Sequence, residues 1–127
     1  MNAIYAVLTS ILLTLGFSNE IPYNAIESAF ERNDSKGLVE LGKAKILINI
    51  EGKEGVYSKQ QATLVLDDFF KRHKGNAFDF IFRGKQSADG TFAIGNYLSG
   101  GSSFRVTIHF SQDGGSMRME SLTIEKG

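Results

Sequence analysis

The chain has 127 residues, 42% of them hydrophobic and 22% charged, which is the length and composition of one globular domain and excludes wholesale disorder. Fourteen basic and fourteen acidic residues give zero net charge, so no cationic excess is available to neutralise nucleic-acid phosphates. Cysteine is absent, which removes disulfides, thiolate metal sites and cysteine nucleophiles.

Residues 1–18 carry no charged side chain, and Ile4 to Phe17 is a mostly apolar run. The run is too short for a stable membrane span, which needs about 20 residues. It suits a secretory signal, with Gly16-Phe17-Ser18 as the small-residue end and cleavage before Asn19. The competing reading is a first helix buried in the domain. The signal reading predicts an exported domain over residues 19–127, periplasmic or extracellular.

Pro22 suits a first helical turn, where its missing N–H costs nothing. Ile26, Ala29 and Phe30 follow at helical spacing, so Pro22–Arg32 is a predicted amphipathic helix. Asp34 or Ser35 caps a short second helix through Leu41, stopped by Gly42. Ala44–Glu51 alternates as a half-buried strand, and Glu51–Gly55 is expected to be a loop. Ser58-Lys59-Gln60-Gln61 is a capping box that opens a helix running to His73 or Lys74. Its apolar stripe is Ala62, Val65, Leu66, Phe69 and Phe70. Asp67 with Lys71 and Asp68 with Arg72 form i,i+4 pairs, so these carboxylates are solvated helix charges rather than metal ligands.

After Gly75 the period switches to two. Four strands follow, separated by Ala88-Asp89-Gly90, Ser99-Gly100-Gly101-Ser102 and Asp113-Gly114-Gly115. The expected inward set is Phe78, Phe80, Phe82, Phe92, Ile94, Phe104, Val106, Ile108, Phe110, Met117 and Met119. Leu122 and Ile124 are out of phase with the methionines, which predicts a bulge near Glu120-Ser121. The fold class is α+β, with N-terminal helices packed on one face of a curved antiparallel sheet.

Several ordered motifs carry a resemblance. They are Glu51–Ala62, Asp68-Phe69-Phe70, Ala93-Ile94-Gly95-Asn96-Tyr97 and Ser103-Phe104-Arg105-Val106. Together they resemble the bacterial family called domain of unknown function 4783. The element order is similar to the cone-shaped nuclear-transport-factor-two-like superfamily, also called the cystatin-like fold. The resemblance implies a curved sheet wrapped round long helices, often with a pocket at the open end, and small exported proteins. It implies no reaction, cofactor or catalytic residue.

Some enzymes of that wider superfamily isomerise or dehydrate small molecules with Asp or His inside the cone. The inward set here contains no Asp, Glu, His, Lys or Arg, so acid–base catalysis is not expected and no catalytic residue is assigned. The first functional expectation is a non-catalytic module that holds a small apolar ligand in the cone, touched by Tyr57, Phe70, Phe92, Asn96, Tyr97 and Phe104. A bulge at Gly95 would turn Tyr97 inward and Asn96 outward, and its absence would do the reverse. The alternative for both tyrosines is core filling, with the hydroxyl bonded to backbone. A second expectation is a protein-interaction or dimer face on the outside of the sheet, through Asp79, Ile81, Arg83, Ala93, Arg105 and His109, with a second copy or an envelope protein as partner. A small isomerase- or dehydratase-like enzyme is the third. His73 is expected to meet its helix dipole, and a His73/His109 metal site is not expected. The Ser99–Ser103 glycine turn lacks a phosphate-loop lysine and is a hairpin tip.

Overall fold

The computed structural model describes residues 20–127, and the predicted signal segment lies outside these residues. Among these residues, three helices precede or interrupt the strands: α1 (Tyr23–Glu31), α2 (Ser35–Glu40) and α3 (Lys59–Arg72). The strands are β1 (Gly42–Ile50), β2 (Lys53–Ser58), β3 (Ala77–Arg83), β4 (Thr91–Ser99), β5 (Ser102–Asp113) and β6 (Ser116–Lys126). They form one six-stranded sheet in the order β2-β1-β6-β5-β4-β3.

The local signals act as expected at the helix starts. Asp34 caps α2 by accepting from the Gly37 N–H at 3.0 Å. Ser58 and Gln61 complete the capping box of α3 in both directions. Asp68 pairs with Arg72 at 3.0 Å on the solvent side of that helix.

The sheet differs from the expected antiparallel one in two ways. Lys53–Ser58 is a strand, not a continuation of the loop, because Glu51 and Gly52 take positive φ and turn the chain straight back along β1. The sheet is also mixed: β6 lies between β5 and β1, antiparallel to the first and parallel to the second. The four strands β3 to β6 keep the expected antiparallel order.

Bulges bend the sheet round the helices. In β6 the register steps from His109↔Ser121 to Phe110↔Met119, which skips Glu120. Met117, Met119, Leu122 and Ile124 thereby all face inward and are at most 3% exposed. In β3 the step lies between Phe80↔Gly95 and Phe82↔Ile94, so Ile81 is the extra residue.

That second bulge corrects the inward set. Phe78 and Phe80 face the core, whereas Phe82, Phe92 and Ile94 face outward, with Phe82 47% exposed. The inward residues of β4 are Ala93, Gly95 and Tyr97. The reason is space: a Cβ on Gly95 would run into the ring of Phe78. Small residues on β4 therefore accommodate large rings from β3 and α1, and β4's own Phe92 and Ile94 turn to the outer face.

Candidate functional site

The interior of the cone is an aromatic cluster. Phe30 of α1 stacks on Phe78 at 4.5 Å and meets Phe70 and Tyr97 at 5.7 and 5.6 Å. Phe69 meets Phe104 edge-on at 5.3 Å. Of the expected ligand residues, Phe70, Tyr97 and Phe104 belong to this cluster and are at most 4% exposed. Their rings pack on one another where a ligand was expected. Among the described residues the buried set is apolar apart from Ser35 and the Tyr97 hydroxyl.

Tyr97 turns inward without a bulge at Gly95, because the whole of β4 has that phase. Its hydroxyl donates to the His73 carbonyl at 2.8 Å. The Asn33 Nδ2 donates to the carbonyls of Phe30 and Gly75 at 2.8 and 2.9 Å, with the Tyr97 oxygen at 3.2 Å. Asn33 itself sits at φ 53°, a left-handed conformation that asparagine tolerates better than most residues. The His73 ring lies on Phe104 at 4.7 Å and on Phe69 at 5.2 Å, a packing role that its helix-terminal position did not reveal.

Burial pushes the Tyr97 hydroxyl above its ordinary pKa, and the hydrogen bond from Asn33 opposes this only in part. A pKa raised by folding stabilises the fold fully below the unfolded value and loses that stabilisation as pH rises through the folded value. Unfolding free energy is therefore expected to be insensitive to this group below about pH 10 and to fall above it. Tyr97→Phe should flatten that alkaline limb in urea titrations at a series of pH values. It should also cost about 1–2 kcal/mol at neutral pH, because the His73 carbonyl loses its donor. An unchanged alkaline limb in the variant would refute the assignment.

The remaining expected ligand residues lie elsewhere. Phe92 is 37% exposed on the outer face, stacked on His109 at 5.6 Å. Asn96 is also outward, and its Oδ1 accepts from the Ser103 hydroxyl at 2.7 Å. Tyr57 lies on the inner side of edge strand β2, beside a groove of about 420 Å³ between that strand and α3. Sequence periodicity did not single out this groove, because its walls come together only when the β1–β2 hairpin folds against the helix.

The outer face reads as rows across the strands. One row is Phe82–Ile94–Thr107–Thr123–Asn49, and the next is Phe92–His109–Ser121–Leu47–Val56. A third is Asp79–Asn96–Arg105–Glu125. Asp79, Arg105 and His109 thus stand on the outer face as expected, and Ile81 is 61% exposed on the β3 bulge. Ala93 does not, being fully buried on the inner side. Arg83 pairs with Ala93 and so leaves the outer face. Its guanidinium lies 4.1 Å above the Tyr23 ring and 3.6 Å from Glu27, tying α1 to the end of β3. His73 and His109 sit on opposite faces of the sheet, on Phe104 and Phe92 respectively. No described helix is long and apolar enough to cross a membrane.

Helices on a curved six-stranded sheet with an aromatic interior define an α+β protein of the nuclear-transport-factor-two-like, or cystatin-like, fold. The chain belongs to the family described as domain of unknown function DUF4783, whose model matches residues 23–125. A DUF4783 family protein from Bacteroides ovatus is similar in structure, with a TM-score of 0.79 and 25% identity over 87% of this chain and 98% of that chain. A relative of the same family from Bacteroides uniformis has a TM-score of 0.77 and 24% identity over 85% of this chain and 98% of that one. The wider fold is seen in a nuclear-transport-factor-two-like protein of unknown function from Silicibacter pomeroyi, with a TM-score of 0.57, 17% identity, and coverage of 99% and 98%. No curated protein matches the sequence.

Proposed function

We propose that this chain is a non-catalytic interaction module that pairs with a second copy of itself through the outer face of its sheet. The observation that carries this reading is the apolar strip of Phe82, Phe92 and Ile94 on that face, next to exposed Ile81. Phe82 and Phe92 meet at 5.3 Å, so the strip is continuous. Large rings turned to water, while Ala93 and Gly95 take the inner positions, lose the benefit of burial unless another surface covers them. The neighbouring row carries Asp79, Arg105 and Glu125, both signs of charge on one line. A twofold axis through the strip would set acids of one copy against the base of the other, as a self-complementary interface requires.

The apolar interior supports a non-catalytic role, since among the described residues no carboxylate or imidazole is fully buried, and the His73 ring lies at the cluster's edge on Phe69 and Phe104. The envelope location in this proposal rests on the uncharged stretch Ile4–Phe17. Mass spectrometry of the protein recovered from its cells should find Asn19 as the first residue, and an intact Met1 end would refute export by this route.

Sedimentation velocity across a concentration series tests the interface. The unaltered chain should show a reversible monomer–dimer equilibrium. The double variant Phe82→Ser/Phe92→Ser should dissociate at least about tenfold more readily, because it removes two aromatic anchors. Its far-ultraviolet circular dichroism should be unchanged, since both side chains lie outside the core. A chain that stays monomeric throughout would refute the proposal.

A further inference from the structure

We infer that His109 makes the outer-face pairing proposed above, on which this reading rests, sensitive to protons: the neutral imidazole joins the interface and the imidazolium breaks it. His109 is the third ring of a row that crosses three strands. Phe82 of β3 meets Phe92 of β4 at 5.3 Å, and Phe92 meets the His109 ring of β5 at 5.6 Å with the planes 26° apart. A second copy seated on Phe82 and Phe92 covers the stacked imidazole as well. In the single chain His109 is exposed and can carry a proton in water. Under a second copy the same ring loses that water, and a charge without a partner is costly there.

The surroundings of His109 supply no such partner. Among the described residues its ring nitrogens make no hydrogen bond or ion pair. On one side, β4 turns Phe92, Ile94 and Asn96 to this face, none of them charged. On the other side, β6 places Ser121 opposite His109, and its bulge residue Glu120 is held by Lys43 and by the Ser111 hydroxyl, each at 3.3 Å. Arg118 lies opposite Ser111 and donates to the Glu40 carbonyl at 3.2 Å. Lys45 stands two residues before Leu47, the β1 residue beside Ser121. Along β5 the next charge on the face is Arg105, in the row whose acids, Asp79 and Glu125, meet the partner's base in the pairing. A second copy brings the same groups, including another His109. An added proton at this place therefore meets cations and a second imidazolium, not an uncommitted carboxylate.

The chain has two histidines and no cysteine. Imidazole is the only side chain here whose ordinary pKa, about 6.5, lies between pH 5.5 and 7.5. His73 packs on Phe69 and Phe104, on the opposite face of the sheet. The test is sedimentation velocity of the full chain across a concentration series at pH 7.5 and at pH 5.5, in the same salt. The dimer should dissociate at least about tenfold more readily at pH 5.5, with the same far-ultraviolet circular dichroism at both pH values. His109→Gln carries no charge at either pH and should pair with equal affinity at both. His109→Lys should pair as weakly at pH 7.5 as the unaltered chain does at pH 5.5. Equal affinity of the unaltered chain at the two pH values would overturn the inference and leave the pairing standing. A pH dependence that persists in His109→Gln, or dissociation accompanied by loss of the helical signal, would also overturn it. A chain that is monomeric already at pH 7.5 would overturn it together with the pairing.

Discussion

Phe30→Ala is expected to lower the unfolding free energy by about 3–5 kcal/mol, the range for removing a fully buried phenylalanine. The size follows from position. Phe30 is fully buried, and its ring touches Phe70 of α3, Phe78 of β3 and Tyr97 of β4. Phe69 and Phe104 are in turn held on Phe70 and Tyr97, two of the rings that Phe30 contacts, so the cavity cannot close by one local shift. Phe30→Leu keeps most of the volume and should cost about 1–2 kcal/mol. Urea denaturation of the two variants beside the unaltered chain measures both. A loss below about 1 kcal/mol for Phe30→Ala would mean that the cluster repacks freely, contrary to a close-packed interior.

Gly75→Ala should cost nearly as much while removing nothing. An added Cβ would collide with the Leu98 carbonyl and lie 2.9 Å from the Tyr97 hydroxyl. The backbone cannot step aside cheaply, because Asn33 holds Gly75 at both ends: its Oδ1 accepts from the Gly75 N–H at 3.3 Å and its Nδ2 donates to the Gly75 carbonyl at 2.9 Å. Relief would break those bonds or the Tyr97 contact, which sets the expected loss at about 2–4 kcal/mol. Gly101→Ala is the control, since a Cβ there meets nothing within 4 Å. It should leave the urea midpoint unchanged. Equal midpoints for the two alanine variants would refute the steric account.

The elements that short-range chemistry defines were legible in the sequence. Ser58 and Gln61 announce the start of α3, and the phase conflict between Met119 and Leu122 locates the bulge at Glu120. The outermost strand β2 was not legible, because Lys53-Glu54-Gly55 has the composition of a turn, and edge strands often carry such charges. The phase of β4 failed for a different reason. Its large residues Phe92 and Ile94 alternate as a core face would, yet the deciding fact is the size of Phe78 across the sheet. Periodicity within one strand cannot report what fills the opposite side. The parallel pairing of β1 with β6 joins residues about 75 positions apart, and no local pattern encodes that. The groove beside Tyr57 is legible only after this assembly.

That pairing has a consequence for the order in which the molecule forms. The last of the described strands in chain order, β6, is the one inserted between β1 and β5. Until it arrives, the early β1–β2 hairpin and the later β3–β5 ribbon have no hydrogen-bonded connection, and each presents a bare edge. The two pieces can prepare separately, but joining them must wait for β6 and close a long loop, which favours slow folding. During that interval the unpaired edges of β1 and β5 are the places where a partly made chain is open to wrong partners.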